Sequence, residues 1–549
     1  LQADTDQIKK PHNDARQSVR YHHSVWGDYF LNSSQDPKKV EAWTGKIEGA
    51  EPVVRKMLTN ARGTEQEMIL IEDIQRLGIV YHFGKEIDVA LNCIFNEYSK
   101  VDYDELYIVA LRFRLLRQGG YRVSPDVFHK FKDQDGSFKA SLSSDTKGML
   151  SLYEASYLGI QGEDILDEAI EFTTESLKSA IAHLHSPLSE MVRRTLELPL
   201  KKRIPRFETR SYISFYQEDD SRNRVLLELA KADFNILQSL HQRELKDLTR
   251  WWKELGLATK CSFARDRLVE CYLWSLGIYF EPQYTWARAI LTKILNLATT
   301  LDDIFDAYGT LDELEIFTSA FHRWEVKAAD LLPDYMKPCY LAILNYVDEI
   351  EDRLMPDEKV YRTNFIKRET KVLVHAYLDE AKWKDRRYVP TLAEHLKVSL
   401  LSSALPLLTG SAYVGLGKEA SKEVFDWLST HPKFVMDIAT IGRLVDDIAG
   451  HRFEQEREHV ASTIECYVKE HGVSEEEACA KLREMIAIEW KGINEACLRP
   501  TAIPRSLLLR GANFPRACEE YYIRGDAYTH SNDETKEKIV ALLVESIPI

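Results

Sequence analysis

LATTLDDIFDAYGT, residues 297–310, places three aspartates inside an otherwise apolar helical pattern. Asp302 and Asp306 are one helical turn apart and share a face, with Asp303 about 100° round from Asp302. Grouping acids on a face led in by Ile294, Leu297, Ala298 and Leu301 costs several kcal/mol unless cations compensate. A carboxylate set without nearby Cys or His selects a hard ion, and Mg²⁺ keeps some waters while bridging carboxylates to a substrate phosphate. Taken alone, three aspartates read equally well as an acidic turn at a solvated helix end, so the decision rests on the rest of the chain.

Upstream, EAWTGKIEGAEPVVRKML, EMILIEDIQRLGIVYHF, KEIDVALNCIFNEY and ELYIVALRFRLLRQGG repeat apolar residues at three and four, with Gly or Pro between segments. Alternating strand patterns are nearly absent and no fixed-period repeat marks a solenoid, so an all-α protein is expected. A chain of 549 residues, 44% hydrophobic, can bury more than one core. The polar cluster Gln217-Glu218-Asp219-Asp220-Ser221-Arg222 marks the expected boundary. It leaves an arm at 1–35 pinned by Trp26, Tyr29 and Phe30, a first helical domain at 36–220 and a second at 221–549. Within the second, a long helix leads into a loop with Gly256, Arg265 and Arg267. Further on, Pro406 and Gly410 in SLLSSALPLLTG predict a bent helix, whose freed carbonyls fall to Ser402 and Ser403 or to a cavity.

A second acidic stretch, IGRLVDDIAGHRFEQER, carries Arg443, Asp446, Asp447, Gly450 and Glu454. Positions 446, 450 and 454 form one helix stripe about 12 Å long at about 1.5 Å per residue. By itself this helix reads more readily as a charged surface with ion pairs. Two acidic stretches in one helical domain, each with arginines nearby, are harder to dismiss.

The net charge of −15 argues against nucleic acid or an anionic membrane as main partner, so an anionic substrate needs a local cationic site. No run of about 18 apolar residues predicts a spanning helix. The N-terminus has neither the apolar core of a secretory signal nor the Ser-rich, acid-poor composition of a transit peptide, so a cytoplasmic location is expected. Eight cysteines show no CxxC or Cys/His spacing, which argues against zinc and against a disulfide framework. A diphosphate leaving an allylic carbon develops charge that metal ions and preorganised arginines stabilise. The remaining wall must then be apolar and aromatic, so that it is unreactive toward a carbocation. Trp274, Tyr522 and Tyr528 are candidates, although such residues are more often plain core.

With both acidic motifs and the arginine loop in view, the chain resembles the plant sesquiterpene synthases of the class I terpene cyclase family. The resemblance runs through VWGDYF at 25–30, RLGIVYHF at 76–83, LRFRLLRQGGY at 111–121, GEDILDEAI at 162–170, ARDRLVECYLW at 264–274, YFEPQY at 279–284, LDDIFDAYGT at 301–310, DYMKPCY at 334–340 and GDAYTH at 525–530. It implies an N-terminal α-barrel and a C-terminal class I terpenoid synthase helical bundle. It further implies a monomer that ionises farnesyl diphosphate and cyclises the cation, using three Mg²⁺ ions with Mn²⁺ as a substitute. The resemblance assigns metal ligation to Asp302, Asp303, Asp306, Asp446, Gly450 and Glu454. Substrate binding falls to Arg265, Asp302, Asp306, Arg443 and Asp446, with Arg267 beside the departing anion and Trp274 in the cavity wall. Tyr522, Asp526 and Tyr528 fall in a C-terminal lid that closes, with the 255–265 loop, over the substrate; the last proton leaves to diphosphate, Asp526 or Tyr522.

Departures from the family pattern sharpen these expectations. Gly450 stands where Ser or Thr is usual, so a water is expected in its place. Arg16-Gln17 replaces a tandem arginine before Trp26, which together with the absent transit signal favours a farnesyl over a geranyl substrate. No DxDD motif is present, so the first domain is expected to be catalytically silent. Pro515 in RGANFPRACEEYY predicts a kink or break of the helix there, with an altered pocket near Tyr522. The rival readings are a monoterpene synthase acting on geranyl diphosphate, a chain-elongating prenyltransferase and a catalytically inactive helical scaffold.

Overall fold

The computed structural model describes residues 21–33, 36–97, 100–454, 460–525, 527–529 and 533–549, and of 452–454 and 533 the backbone alone. Arg16 and Gln17, the side chain of Glu454, and Asp526 lie outside the described residues. Among the described residues regular structure is helical, with only two isolated bridges, Lys132 to Phe138 and Ile523 to Gly525. The longer helices of the first part are α1 Pro37–Asn60, α2 Glu65–Arg76, α3 Gly84–Asn96, α4 Leu106–Gln118, α5 Thr146–Ser156, α6 Asp164–Ala180, α7 Leu188–Glu197 and α8 Pro205–Glu218. The second part holds α9 Arg224–Leu255, α10 Leu268–Ile278, α11 Thr285–Asp303, α12 Leu311–Arg323, α13 Lys337–Leu354, α14 Tyr361–Asp385, α15 Leu392–Ser402 and α16 Leu405–Val414. After these come α17 Lys433–Glu454, α18 Thr463–His471, α19 Glu475–Ala496, α20 Asn513–Tyr522 and α21 Asp533–Leu543.

Local chemistry sets the ends that matter. The polar cluster at 217–222 coincides with the break between α8 and α9, and Asn223 then caps α9 by accepting from the N–H groups of Val225 and Leu226 at 3.0 and 3.2 Å. At its far end α9 stops on Gly256, which takes φ +69°, and the Gly256 N–H returns to the Trp252 carbonyl. The bend expected around Pro406 is a full break: Ala404 takes φ +60° and Pro406 sits in the first turn of α16. The Ser403 hydroxyl donates to the Leu400 carbonyl at 2.7 Å and so helps satisfy the end of α15, while the Ser402 hydroxyl, 3.2 Å from the Ser399 carbonyl, has Glu380 as its nearer acceptor at 2.6 Å. The break expected near Pro515 falls at Ala512, and Pro515 lies in the first turn of α20, where its missing N–H is harmless.

One apolar core is continuous from Trp26 to Ile547. The first helices seat against the second set at several points: α1 lies along α9, Lys202 pairs with Glu519 of α20 at 2.6 Å, and Asn494 of α19 donates to the Gly159 carbonyl at 2.8 Å. The C-terminus is stitched back by Asn235, which donates to the Ile547 carbonyl at 2.9 Å and accepts from its N–H at 2.8 Å.

Inside the first part, buried Glu208 accepts from Arg76 at 2.7 Å and from Arg203 at 2.8 Å, with Arg194 at 3.3 Å. Burial alone would raise this carboxyl, yet the three guanidiniums hold it below the ordinary carboxylate range. A depressed carboxylate contributes stability that is complete above its unfolded value of about 4.3 and is lost as the pH falls further. Glu208→Gln takes the carboxylate from buried Arg203 and from the half-buried Arg76 and Arg194, and should cost about 3 kcal/mol near neutral pH. Urea midpoints of mutant and wild type, measured from neutral pH downward, should converge below about pH 4.3.

Candidate active site

The second set of helices encloses a cavity of about 300 Å³ whose wall combines acids, arginines and aromatic rings. Helices α10, α11, α14, α15, α16, α17 and α20 contribute to it, together with Tyr21 and the 527–529 segment.

The acidic stretch ends α11 in an unexpected way. After Asp303 the chain passes into a π turn, Ile304–Tyr308, closed by the Gly309 N–H bonding the Ile304 carbonyl at 2.8 Å. Such widened turns recur at functional sites. Asp302 and Asp306 both stand at the cavity wall. Asp303, also expected among the metal ligands, is absent from the cavity wall: its side chain is 1% exposed, against 36% for Asp302. It is occupied by the backbone N–H of Arg265 at 2.7 Å and by the Arg265 guanidinium at 3.0 Å. The same guanidinium donates to Asp302 at 2.5 Å and to the Thr529 hydroxyl at 3.1 Å. Burial pushes the Asp302 carboxyl up and that of Asp303 up to about 6, against the pull of Arg265.

Arg265 can serve both aspartates because its loop is pinned. Phe263 stacks on Tyr308 of the π turn with centroids 4.0 Å apart, and Trp252 donates its indole N–H to Asp266 at 2.9 Å. Arg267, expected beside a departing anion, is absent from the cavity wall and fully buried. It donates to the His22 carbonyl at 3.0 Å, to His22 Nε2 at 2.9 Å and to the Thr529 carbonyl at 2.9 Å, so its hydrogens go to backbone and arm.

Across the cavity α17 repeats the pattern. Arg443 lies 3.3 Å from both Asp446 and Asp447. Both line the cavity, but Asp446 is 34% exposed, whereas Asp447 is 4% exposed and accepts the Thr463 N–H at 2.7 Å, tying α17 to the start of α18. Desolvation opposes ionisation of Asp447, but His395, Arg443 and Thr463 hold its carboxyl below the ordinary range. Gly450 follows one turn beyond Asp446 on α17 and brings no side-chain oxygen.

Several wall residues escape sequence reasoning. Tyr377, Glu380, Ala381 and Lys384 of α14 line the cavity. Their spacing of three and four was available, but it matches an ordinary amphipathic helix. Glu380 accepts from the Ser402 hydroxyl at the end of α15 at 2.6 Å, and burial pushes its carboxyl up to about 7. Lys384 donates to the Asp306 carbonyl at 3.1 Å. On the aromatic side Trp274, Tyr522, Tyr528 and Phe305 line the cavity. Trp274 stacks on Tyr521 at 5.0 Å and meets Tyr528 edge-on at 6.3 Å and 82°.

This donor set fits a hard cation without caging one. Among the described residues no three acidic, His or Cys side chains converge closely enough to hold an ion by themselves. Asp302 and Asp306 on one side and Asp446 on the other offer carboxylate oxygens alone, which suits an ion that completes its shell with water and substrate phosphate.

Residues 253–492 match a family model described as "Terpene synthase family, metal binding domain", and residues 25–196 match "Terpene synthase, N-terminal domain". The chain is 47% identical over 536 residues to a (-)-germacrene D synthase of Vitis vinifera, covering 97% of this chain and 96% of that one. It is also 47% identical to a beta-cubebene synthase of Magnolia grandiflora over 549 residues and the full length of both. Among solved structures, limonene synthase with 2-fluorolinalyl diphosphate superposes with a TM-score of 0.93 at 32% identity, covering 97% of this chain and 100% of that one. Isoprene synthase from grey poplar leaves, in complex with three Mg²⁺ ions and dimethylallyl-S-thiolodiphosphate, gives 0.88 at 37% identity, covering 96% and 99%.

The split within the α17 doublet has a measurable consequence. Asp447→Asn weakens the Arg443 pair inside the protein and should lower unfolding stability by about 1–3 kcal/mol. Asp446→Asn, at the cavity wall, should leave the thermal midpoint within about 1 °C of wild type. Differential scanning fluorimetry of the two variants distinguishes them.

Proposed function

This chain belongs to the terpene synthase family, and from that we propose that it is a metal-dependent sesquiterpene synthase that ionises farnesyl diphosphate and closes the cation into a cyclic C15 product. The observation that carries the reading is one cavity with carboxylates from α11 and α17, an arginine behind each, and the aromatic rings of Trp274, Phe305, Tyr522 and Tyr528 in the same wall. Full-length likeness to two sesquiterpene-forming synthases supports C15 over C10.

Asp302, Asp306 and Asp446 would hold divalent metal, with Glu454 completing the second motif and a water taking the place of a side-chain oxygen at Gly450. When bound, Mg²⁺, or Mn²⁺ as substitute, supplies charge neutralisation to the leaving diphosphate; three ions are proposed, as in the isoprene synthase complex. Arg265 and Arg443 orient that diphosphate, so the allylic C–O bond breaks with its electron pair leaving on the phosphate oxygen. Trp274, Phe305, Tyr522 and Tyr528 then face the cation with π surfaces and no strong nucleophile. Closure by Tyr21 and the 527–529 segment keeps water from quenching it. The final proton passes to diphosphate, Asp526 or Tyr522.

Residues 36–220 act as a brace for 221–549, a role supported by the Lys202–Glu519 and Asn494–Gly159 contacts. We propose that it acts as a monomer, as the family resemblance implies. No described helix is long and apolar enough to cross a membrane. Eight unpaired cysteines support a reducing compartment, and we place the enzyme in the cytoplasm.

Incubation with farnesyl diphosphate and Mg²⁺ should give cyclic C15 products by gas chromatography–mass spectrometry, with geranyl diphosphate a poorer substrate. Asp302→Ala should lower turnover by about a hundredfold or more; activity retained in that variant would refute the assignment. Titration with Mg²⁺ tests the doublet: Asp302→Asn should raise the Mg²⁺ concentration giving half-maximal rate. Asp303→Asn should lower the rate through a loosened Arg265 while leaving that concentration unchanged.

A further inference from the structure

Tyr528 reaches the cavity from a segment far along the chain, yet its position is over-determined. Its hydroxyl lies 2.5 Å from the Thr299 hydroxyl of α11 and 3.2 Å from the Cys271 thiol of α10. Thr299 also lies 3.0 Å from the Leu295 carbonyl in its own helix. A threonine hydroxyl has one hydrogen and a carbonyl can only accept. The arrangement that satisfies both contacts has Thr299 donating to Leu295 and Tyr528 donating to Thr299. Cys271, whose thiol burial pushes up to about 12, stays protonated and has Asn296 Oδ1 at 3.6 Å as a second neighbour. The next residue is held as well, since Thr529 accepts from Arg265 at its hydroxyl and from Arg267 at its carbonyl, at 3.1 and 2.9 Å.

These contacts commit the Tyr528 proton to α11 and set the ring edge-on to Trp274. What Tyr528 offers a cation is then a π surface at a fixed place, and the residues that fix it decide where along the folded substrate positive charge is best stabilised. We propose that Thr299 and Cys271 are positioning residues for Tyr528, and that through it they set the product ratio of the synthase.

The proposal rests on the sesquiterpene synthase reading, and its test separates the two. Wild type, Thr299→Val, Thr299→Ser, Cys271→Ala, Tyr528→Phe and the Thr299→Val/Tyr528→Phe double variant are incubated with farnesyl diphosphate and Mg²⁺, and C15 products are quantified. Thr299→Val and Tyr528→Phe should shift the ratio of the main products in the same direction by about fivefold or more, with KM changed by less than about threefold. Thr299→Ser, which keeps the acceptor, should restore the wild-type ratio, and the double variant should match the single ones. An unchanged ratio in Thr299→Val, a Ser variant that behaves like Val, or additive effects in the double variant would overturn the proposal. Should Thr299→Val not fold, Cys271→Ala and Tyr528→Phe carry the same comparison. Hydrogen exchange at 527–529 is read in parallel and needs no turnover: it should rise in Thr299→Val and Tyr528→Phe, and unchanged protection would also overturn the proposal. A wild type that forms no C15 product overturns the enzyme reading, leaving the seat of Tyr528 to be judged by exchange.

Discussion

Carboxylates brought to the wall of a helical bundle need counter-charge from another direction, and the two acidic doublets meet this need in the same way. In each, the first aspartate stands at the cavity, 36% exposed for Asp302 and 34% for Asp446, while the second is buried, 1% for Asp303 and 4% for Asp447. One arginine spans each pair: Arg265, from the loop before α10, spans that of α11, and Arg443 spans that of its own helix α17. A buried ion pair contributes little net stability, but removing one partner is costly, so the buried aspartate holds its arginine in one place. The cavity aspartate therefore faces solvent beside a cation already in position. Positive charge that is in place before the reaction needs no reorganisation when a leaving group takes up electrons.

Keeping those arginines in register is the work of residues that touch no substrate. The Arg265 loop is held by Phe263 against Tyr308 and by Trp252 against Asp266, so the π turn that presents Asp306 also anchors the loop that neutralises Asp302. Arg443 gains a further contact to the Ser399 carbonyl, at 3.4 Å, close to the break between α15 and α16. Ser402 reaches from that break to Glu380, which joins α14 to the same wall. Behind them the first set of helices grips α19 and α20, and Asn235 and Gln238 of α9 bind the carbonyls of the C-terminal segment. The cavity is thus bounded by elements whose relative positions are set through polar contacts outside it.

Much of this is legible along the chain. Helical periodicity is local, so the all-α class, the break at 217–222 and the breaks at Pro406 and near Pro515 follow from neighbouring residues alone. The i, i+4 spacing that groups Asp302 with Asp306 is local too, and the resemblance to terpene cyclases adds Arg265, Arg443, Trp274, Tyr522 and Tyr528, all of which line the cavity. Asp303 and Arg267 are where the sequence reading and the cavity wall part, since both are buried and neither lines it. Nothing in DD or RDR distinguishes the member that meets the cavity from the one that turns into the protein, because that depends on how α11 is rotated against α10 and on where the arm at His22 and the segment at Thr529 come to rest.

By itself the sequence determined the helices, the acidic stripes on them and the chemistry those stripes call for, since each depends on residues within a few turns of one another. Only the tertiary structure decided which carboxylate of each doublet is exposed, that Glu380 and Lys384 join the wall, and that Tyr528 is seated on Thr299 and Cys271. Burial and hydrogen-bond partnership arise where elements meet that are distant in the chain, and no local spacing encodes them.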